Sequence, residues 1–314
     1  MYSYENYAKV KEELAARRQK ALDEAAMRAE SLRLRSEEIN EIDTELAKTG
    51  PMIFSAACRG EDISPLKRRN LELQEKKKAL IKALGYPDDY TEVPYFCRKC
   101  SDTGYTENGA VCSCLKEALV KATIASSGMG MLIEKQSFEN FDLSRFEPET
   151  KELMQHNLAV AKAYVRDFSK KRGNLILIGK TGTGKTHISS AIAREIINKG
   201  FDVVYDSTPN ILNDFENERF RNDYNRHENI TEKYFECDLL IIDDLGTEFH
   251  TAFTVSALYN LLNTRQNKGL ATIISTNLEP SELISKYEDR IYSRMLGKGT
   301  VALRFGGKDY RVTR

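Results

Sequence analysis

The sequence predicts an α/β fold with a mostly parallel sheet, preceded by a helical hairpin and a small cysteine module, in a chain of 314 residues. Three observations lead there. Short apolar runs alternate with helix-like stretches over the second half of the chain, apolar residues recur every seven positions near the start, and four of six cysteines crowd between Cys97 and Cys114. The hydrophobic fraction, 41 %, fills a core in at least one of several domains. The organisation expected is a helical region at 1–90, the cysteine module with its linker at 91–130, and the α/β domain at 131–314.

In the first region Ala25, Leu32, Ile39 and Leu46 are seven apart, and so are Leu66, Leu73 and Leu80 beyond a break expected at Gly50-Pro51. Two amphipathic helices folded back on each other would bury both stripes. Such a hairpin either docks a partner protein or spaces the other domains.

The second region contains CRKCSDTGYTENGAVCSC. A Cys-x2-Cys pair, a turn through Gly104 and Gly109, and a Cys-x-Cys pair would bring Cys97, Cys100, Cys112 and Cys114 to one ion, with Zn2+ the expected occupant. Four thiolates close the coordination shell, so the role is structural and the metal supplies folding free energy. Cys58 and Cys237 stand apart and read as small apolar side chains. The run after Lys116 is helix-like and loosens at SSGMG, read as a hinge.

The third region alternates strand and helix signals. LILI (Leu175 to Ile178), DVVYD (Asp202 to Asp206), LLIID (Leu239 to Asp243) and ATIIST (Ala271 to Thr276) are short apolar runs separated by helical ones, the pattern of a parallel sheet covered on both faces.

GKTGTGKT follows the first run and opens a helix, the context that G-x-x-x-x-G-K-[ST] requires. Gly179, Lys180, Thr181, Gly182, Thr183 and Gly184 would turn the backbone so that its N–H groups cradle phosphates at a helix N-terminus. Lys185 would reach the terminal phosphates, and Thr186 would place its hydroxyl on Mg2+. Such a loop needs an acid on a neighbouring strand. Asp243 at the end of LLIID supplies it, and Asp244 is the candidate to orient or deprotonate the attacking water. Aspartate is one methylene shorter than the usual glutamate, so slow or partner-dependent hydrolysis is expected. Glu248 either shares that role or belongs to a network. Asn277 ends the fourth run, where an amide would meet the attacking water or cap the next helix. In DRIYSRM, Arg290 and Arg294 share a helical face as a solvated pair or as an arginine finger.

Together SFENFD (Ser137 to Asp142), GKTGTGKTH, LLIIDDLGTE, STN, DRIYSRM and the closing DYR resemble the bacterial replicative helicase loader family, AAA+ ATPases of the DnaC/DnaI type, including loader-like proteins of mobile elements. The resemblance covers about residues 132 to 314, and the cysteine module is similar to the zinc-binding domain of some loaders. It implies ATP as nucleotide, Asn277 as sensor 1, Arg311 as sensor 2, Arg290 or Arg294 as the finger, and Phe138 and Phe141 near the adenine. It further implies a hexameric replicative DNA helicase and single-stranded DNA as partners, and ATP-dependent homo-oligomers. ATP binding and hydrolysis would act as an assembly and release switch. A transposase-helper ATPase of the IstB type shares this core but needs no cysteine module, and a nucleotide-dependent scaffold with very slow hydrolysis is the third reading.

Zero formal net charge does not point to a bulk electrostatic mode of nucleic-acid binding, so a DNA contact would come from local patches such as Lys170, Lys171 and Arg172. No run approaches the ~18 apolar residues of a membrane span, and MYSYENYAKVKEEL lacks the pattern of a secretory signal. A soluble, cytoplasmic protein is expected.

Overall fold

The computed structural model describes residues 2–130, 132–169, 173–220, 230–297 and 299–310. It divides into two compact units, one formed by Lys11–Leu115 and the other by Met1–Val10 with Lys116–Arg314. Among the described residues no helix is long and apolar enough to cross a membrane. Arg311 and the basic run Lys170, Lys171 and Arg172 lie outside the described residues.

The helical region holds α1 (Tyr4–Arg35), α2 (Glu37–Cys58) and α3 (Ser64–Ala83). Ser36 separates the first two and caps α2 by accepting the Ile39 N–H at 3.3 Å. The expected break at Gly50-Pro51 does not occur: α2 runs through Pro51, and the chain reverses between Arg59 and Ile63. A proline inside a helix forfeits one backbone bond. Here the carbonyl deprived of its donor is that of the exposed Ala47, while Ile42, Thr49 and Ala56, seven apart, stay buried and hold the helix together. Antiparallel packing of α2 on α3 follows from the cross-pairs Lys76–Glu38, Arg69–Glu45 and Asn70–Thr49. Of the predicted seven-residue stripe, Ala25, Leu32, Ile39 and Leu73 are buried, while Leu46, Leu66 and Leu80 are half-buried.

The α/β unit contains α4 (Ser113–Ser126) from Lys116 onward, α5 (Leu132–Lys135), α6 (Pro148–Arg166), β1 (Leu175–Gly179), α7 (Lys185–Asn198), β2 (Val203–Ser207), α8 (Thr208–Phe220), α9 (Glu232–Glu236), β3 (Leu239–Leu245), α10 (Ala252–Lys268), β4 (Ala271–Thr276), α11 (Pro280–Met295) and β5 (Val301–Phe305). All sheet neighbours are parallel, in the order β2-β3-β4-β1-β5. Alternate strand residues feed two cores. Leu175, Leu177, Ile241 and Ile273 pack under α6 and α7, while Ile176, Leu240, Ile242 and Ile274 pack under α10 and α11. This is the α/β P-loop fold of AAA+ type that the sequence predicts.

Two local expectations change. Strand β5 was not anticipated, because only Leu303 and Phe305 of VALRF are buried. SSGMG is no free hinge: Ser127 O accepts the Tyr205 N–H at 2.8 Å, Met129 is buried, and a side chain at Gly128 (φ 79°) would strike Tyr205 O. The segment lies along the edge of β2.

Candidate functional site

The strand order brings β3, β4 and β1 side by side, so their carboxyl ends form one rim. The P-loop leaves β1. Gly182 and Gly184 adopt φ of 77° and 98°, a left-handed conformation that glycine takes without a Cβ penalty, and Gly184 is the residue from which α7 starts. Gly179 has no room for a Cβ, which would lie 2.3 Å from Phe305 O. Thr183 Oγ1 closes the loop by donating to Lys180 O at 2.7 Å. Lys185 Nζ is buried and donates to Gly179 O at 2.6 Å and Lys180 O at 2.9 Å, so the ammonium is already held under the loop.

Asp243 is buried at the end of β3. Thr186 Oγ1 lies 3.3 Å from its Oδ2, the pair that the sequence assigns to the metal. Tyr205 OH donates to the same Oδ2 at 2.6 Å, and Ser275 Oγ donates to Oδ1. Burial and the Asp243 charge push the Tyr205 phenol well above its ordinary range, which keeps it a proton donor. Ser275 also accepts the Asp244 N–H at 3.0 Å, so one hydroxyl fixes both acids. Asp244 is exposed, with φ 54°, where the β3–β4 register shifts. That left-handed residue turns the chain out of the strand and puts Asp244 on the cleft wall.

The cleft has a volume of about 500 Å³ and runs from Asp244 and Asn277 past Gly182, Lys185 and Thr186 to Phe141. Asn277 is exposed at the tip of β4; the cap of α11 is Glu279, so Asn277 is not that cap. Phe141 lines the cleft, with its ring 5.1 Å from that of His187. Phe138 does not: it is buried in the core, with Lys162 Nζ 5.9 Å from its ring. Burial holds the His187 imidazole below its ordinary value, and Nε2 lies 2.9 Å from Ser137 O, so Nε2 carries the proton.

Glu248 is not on the cleft wall. Its buried carboxylate accepts the Gly246 N–H at 2.9 Å and the Tyr287 hydroxyl, and pairs with Lys286 at 3.2 Å. It ties the loop after Asp244 to α11, the network role rather than the catalytic one. Beyond a kink at Glu288 (φ 63°), Arg290 is exposed and Arg294 donates to Gln266 Oε1 at 3.4 Å. Neither lines this chain's own cleft.

In the other unit Cys97, Cys100, Cys112 and Cys114 place four Sγ atoms within 4.8 Å of one another. Bonds of about 2.3 Å to one tetrahedral Zn2+ would set sulfurs about 3.8 Å apart. The separations are 3.8 Å for Cys97–Cys112 and 3.4 Å for Cys100–Cys114, so the donor set fits. Asp102, which the sequence reading missed, is buried and accepts the Phe96 and Cys97 N–H groups at 2.9 Å each. The backbone N–H of Cys114 draws the Cys112 thiol down to about 7, while burial pushes Cys114 up.

Against this geometry the comparisons are direct. Residues 122–298, more than half of the chain, match the family model described as IstB-like ATP binding protein. The chain belongs to that family. It is 27 % identical over 210 residues to the replicative helicase loader DnaC of Escherichia coli K12, covering 65 % of this chain and 83 % of that protein. To the chromosomal replication initiator DnaA of Lactococcus lactis it is 31 % identical over 172 residues, 54 % of this chain and 35 % of DnaA. A crystal structure of DnaI aligns with TM-score 0.48 and 20 % identity over 58 % of this chain and 94 % of that one.

Proposed function

We propose that the protein is an ATP-dependent loader that binds a hexameric replicative DNA helicase and places it on single-stranded DNA, with ATP binding and hydrolysis as the assembly and release switch. One observation carries the choice within the family. The four-thiol cluster stands with the N-terminal helices in the Lys11–Leu115 unit, outside the residues that match the IstB-like family. A transposase helper, the second reading favoured by the family description, has no need of that unit. The likeness to DnaC over 83 % of its length supports the loader.

In this reading the P-loop N–H groups and Lys185 hold the triphosphate, and Thr186 with Asp243 would hold Mg2+. When bound, the ion offsets charge on the phosphate oxygens. Tyr205 and Ser275 keep Asp243 aimed at Thr186. Asp244 orients the attacking water and takes its proton, and Asn277 touches the water or the terminal phosphate. Arg290 and Arg294, away from this chain's cleft, serve the site of a neighbouring subunit in an ATP-dependent homo-oligomer, and Arg311 is the sensor 2 residue. Cys97, Cys100, Cys112 and Cys114 would hold Zn2+, which fixes the surface that meets the helicase. The protein works in the cytoplasm, where its DNA partner is found. Co-sedimentation of the full chain with purified hexameric replicative helicase tests the reading. An ATP-dependent complex that Cys97→Ser/Cys100→Ser abolishes is expected; no complex with or without ATP refutes the loader.

A further inference from the structure

At the end of the cleft opposite Asp244 and Asn277, the segment from Lys135 to Asn140 closes on itself. Asn140 Oδ1 accepts the Ser137 N–H at 2.8 Å, Ser137 Oγ accepts the Asn140 N–H at 3.3 Å, and Asn140 Nδ2 donates to Lys135 O at 2.6 Å. His187, on α7 directly after the P-loop threonine, ties Ser137 O to the helix that carries the phosphate site. Gln136 sits between these fixed points and lines the cleft. Its Oε1 is shut off from water and has no hydrogen-bond partner. The segment's other side-chain amide oxygen, that of Asn140, is satisfied, so the orphan acceptor stands out: a buried, unpaired acceptor is costly, and the cost is relieved if the amide turns onto a donor in the cleft. Beside it the rings of Phe141, His187 and Phe146 offer apolar walls to a flat heterocycle.

We propose that Gln136 is the base-reading residue of the site and selects adenine by a two-point contact, Oε1 accepting from the N6 amino group and Nε2 donating to N7. The inference rests on the nucleotide-site reading above and adds to it the residue that sets base specificity, which the P-loop cannot supply because it touches only phosphates. The chemistry is directional. Adenine presents a donor beside an acceptor on that edge, matching both ends of a carboxamide. A 6-oxo purine presents two acceptors there, so in either orientation the amide sets its oxygen against one of them. The fixed backbone on both sides of Gln136 means that this discrimination needs no loop ordering.

The test measures affinities of the full-length protein for ATP, inosine triphosphate and 7-deaza-ATP by calorimetry, with Gln136→Leu and Lys185→Ala alongside. The unmodified protein should prefer ATP to inosine triphosphate by roughly 5- to 150-fold, the range of a bidentate pair, and should bind 7-deaza-ATP more weakly than ATP. In Gln136→Leu the ATP preference collapses towards equality through weaker ATP binding, while Lys185→Ala lowers affinity for all three alike. Equal binding of ATP and inosine triphosphate by the unmodified protein, full affinity for 7-deaza-ATP, or an undiminished preference in Gln136→Leu overturns the assignment. The two analogues decide the matter on the unmodified protein should the leucine variant fail to fold. Unchanged affinities in Lys185→Ala would instead overturn the nucleotide site itself.

Discussion

Replacing Glu248 by alanine separates a structural role from a catalytic one. The carboxylate is buried and serves three partners: the Gly246 N–H, the Tyr287 hydroxyl and the Lys286 ammonium. Removing it leaves the first two without an acceptor in a buried setting, at about 1–3 kcal/mol each. Lys286 loses less, because its ammonium keeps Gly246 O at 2.7 Å and the residue 248 carbonyl at 3.1 Å. The expected destabilisation of Glu248→Ala is therefore about 3–5 kcal/mol. Tyr287→Phe, which leaves the other two bonds, should lose about 1 kcal/mol. The chain has no tryptophan, so urea unfolding is followed by circular dichroism, and a lower midpoint with an unchanged slope is expected. ATP affinity of the folded variant should stay near that of the parent, since Glu248 does not line the cleft. Full stability combined with abolished turnover would refute the reasoning and return Glu248 to the attacking water.

Three further outcomes are expected. Protein purified without chelator should carry one zinc per chain by elemental analysis, and Cys97→Ser/Cys100→Ser should lose the metal together with helical signal from the N-terminal unit. Arg290→Ala or Arg294→Ala should retain ATP affinity but lose turnover by ~10²-fold or more, with partial recovery on mixing with Asp244→Asn, because mixed interfaces recreate an intact finger facing an intact acid; loss of turnover without recovery would place the arginine in its own subunit. Burial and the neighbouring Asp238 charge raise the Asp202 carboxyl from 3.8 to about 6. The folded state then binds its proton more tightly than the unfolded chain, so this contribution is full below about pH 4 and is lost as pH rises to about 6. At 1.36 kcal/mol per pKa unit, Asp202→Asn should remove up to about 3 kcal/mol of that pH dependence, seen in melting curves from pH 4 to 7. An identical pH profile in the variant would contradict the burial argument.

The sequence by itself determined the phosphate loop, the acidic strand and the four-thiol cluster. In the first two the residues that act lie within a few positions of one another, and in the cluster two close cysteine pairs are joined by a short turn through Gly104 and Gly109, so the backbone that joins them also places them. Four of the five strands were legible for a similar reason: β1, β3 and β4 are central and buried on both faces, and the edge strand β2 still buries Val203, Val204 and Tyr205, so each has a continuous apolar run. Strand β5 escaped notice because an edge strand with Val301, Ala302 and Arg304 exposed has no such run. Pro51 was read as a break because its local cost is plain, whereas the burial of Ile42, Thr49 and Ala56 that offsets it belongs to a partner helix. Tertiary structure alone decided which side chains support the acids and which face the cleft. Tyr205 and Ser275 reach Asp243 across 38 and 32 positions of chain because β2 and β4 flank β3. The turn around Ser137 sends Phe138 into the core and Phe141 to the cleft, a choice made by hydrogen bonds between Ser137, Asn140 and His187 that no spacing rule encodes. Glu248, two residues past Gly246 and so near the acids in sequence, is drawn away from them by Tyr287 and Lys286, because in a buried site a carboxylate goes where its donors are.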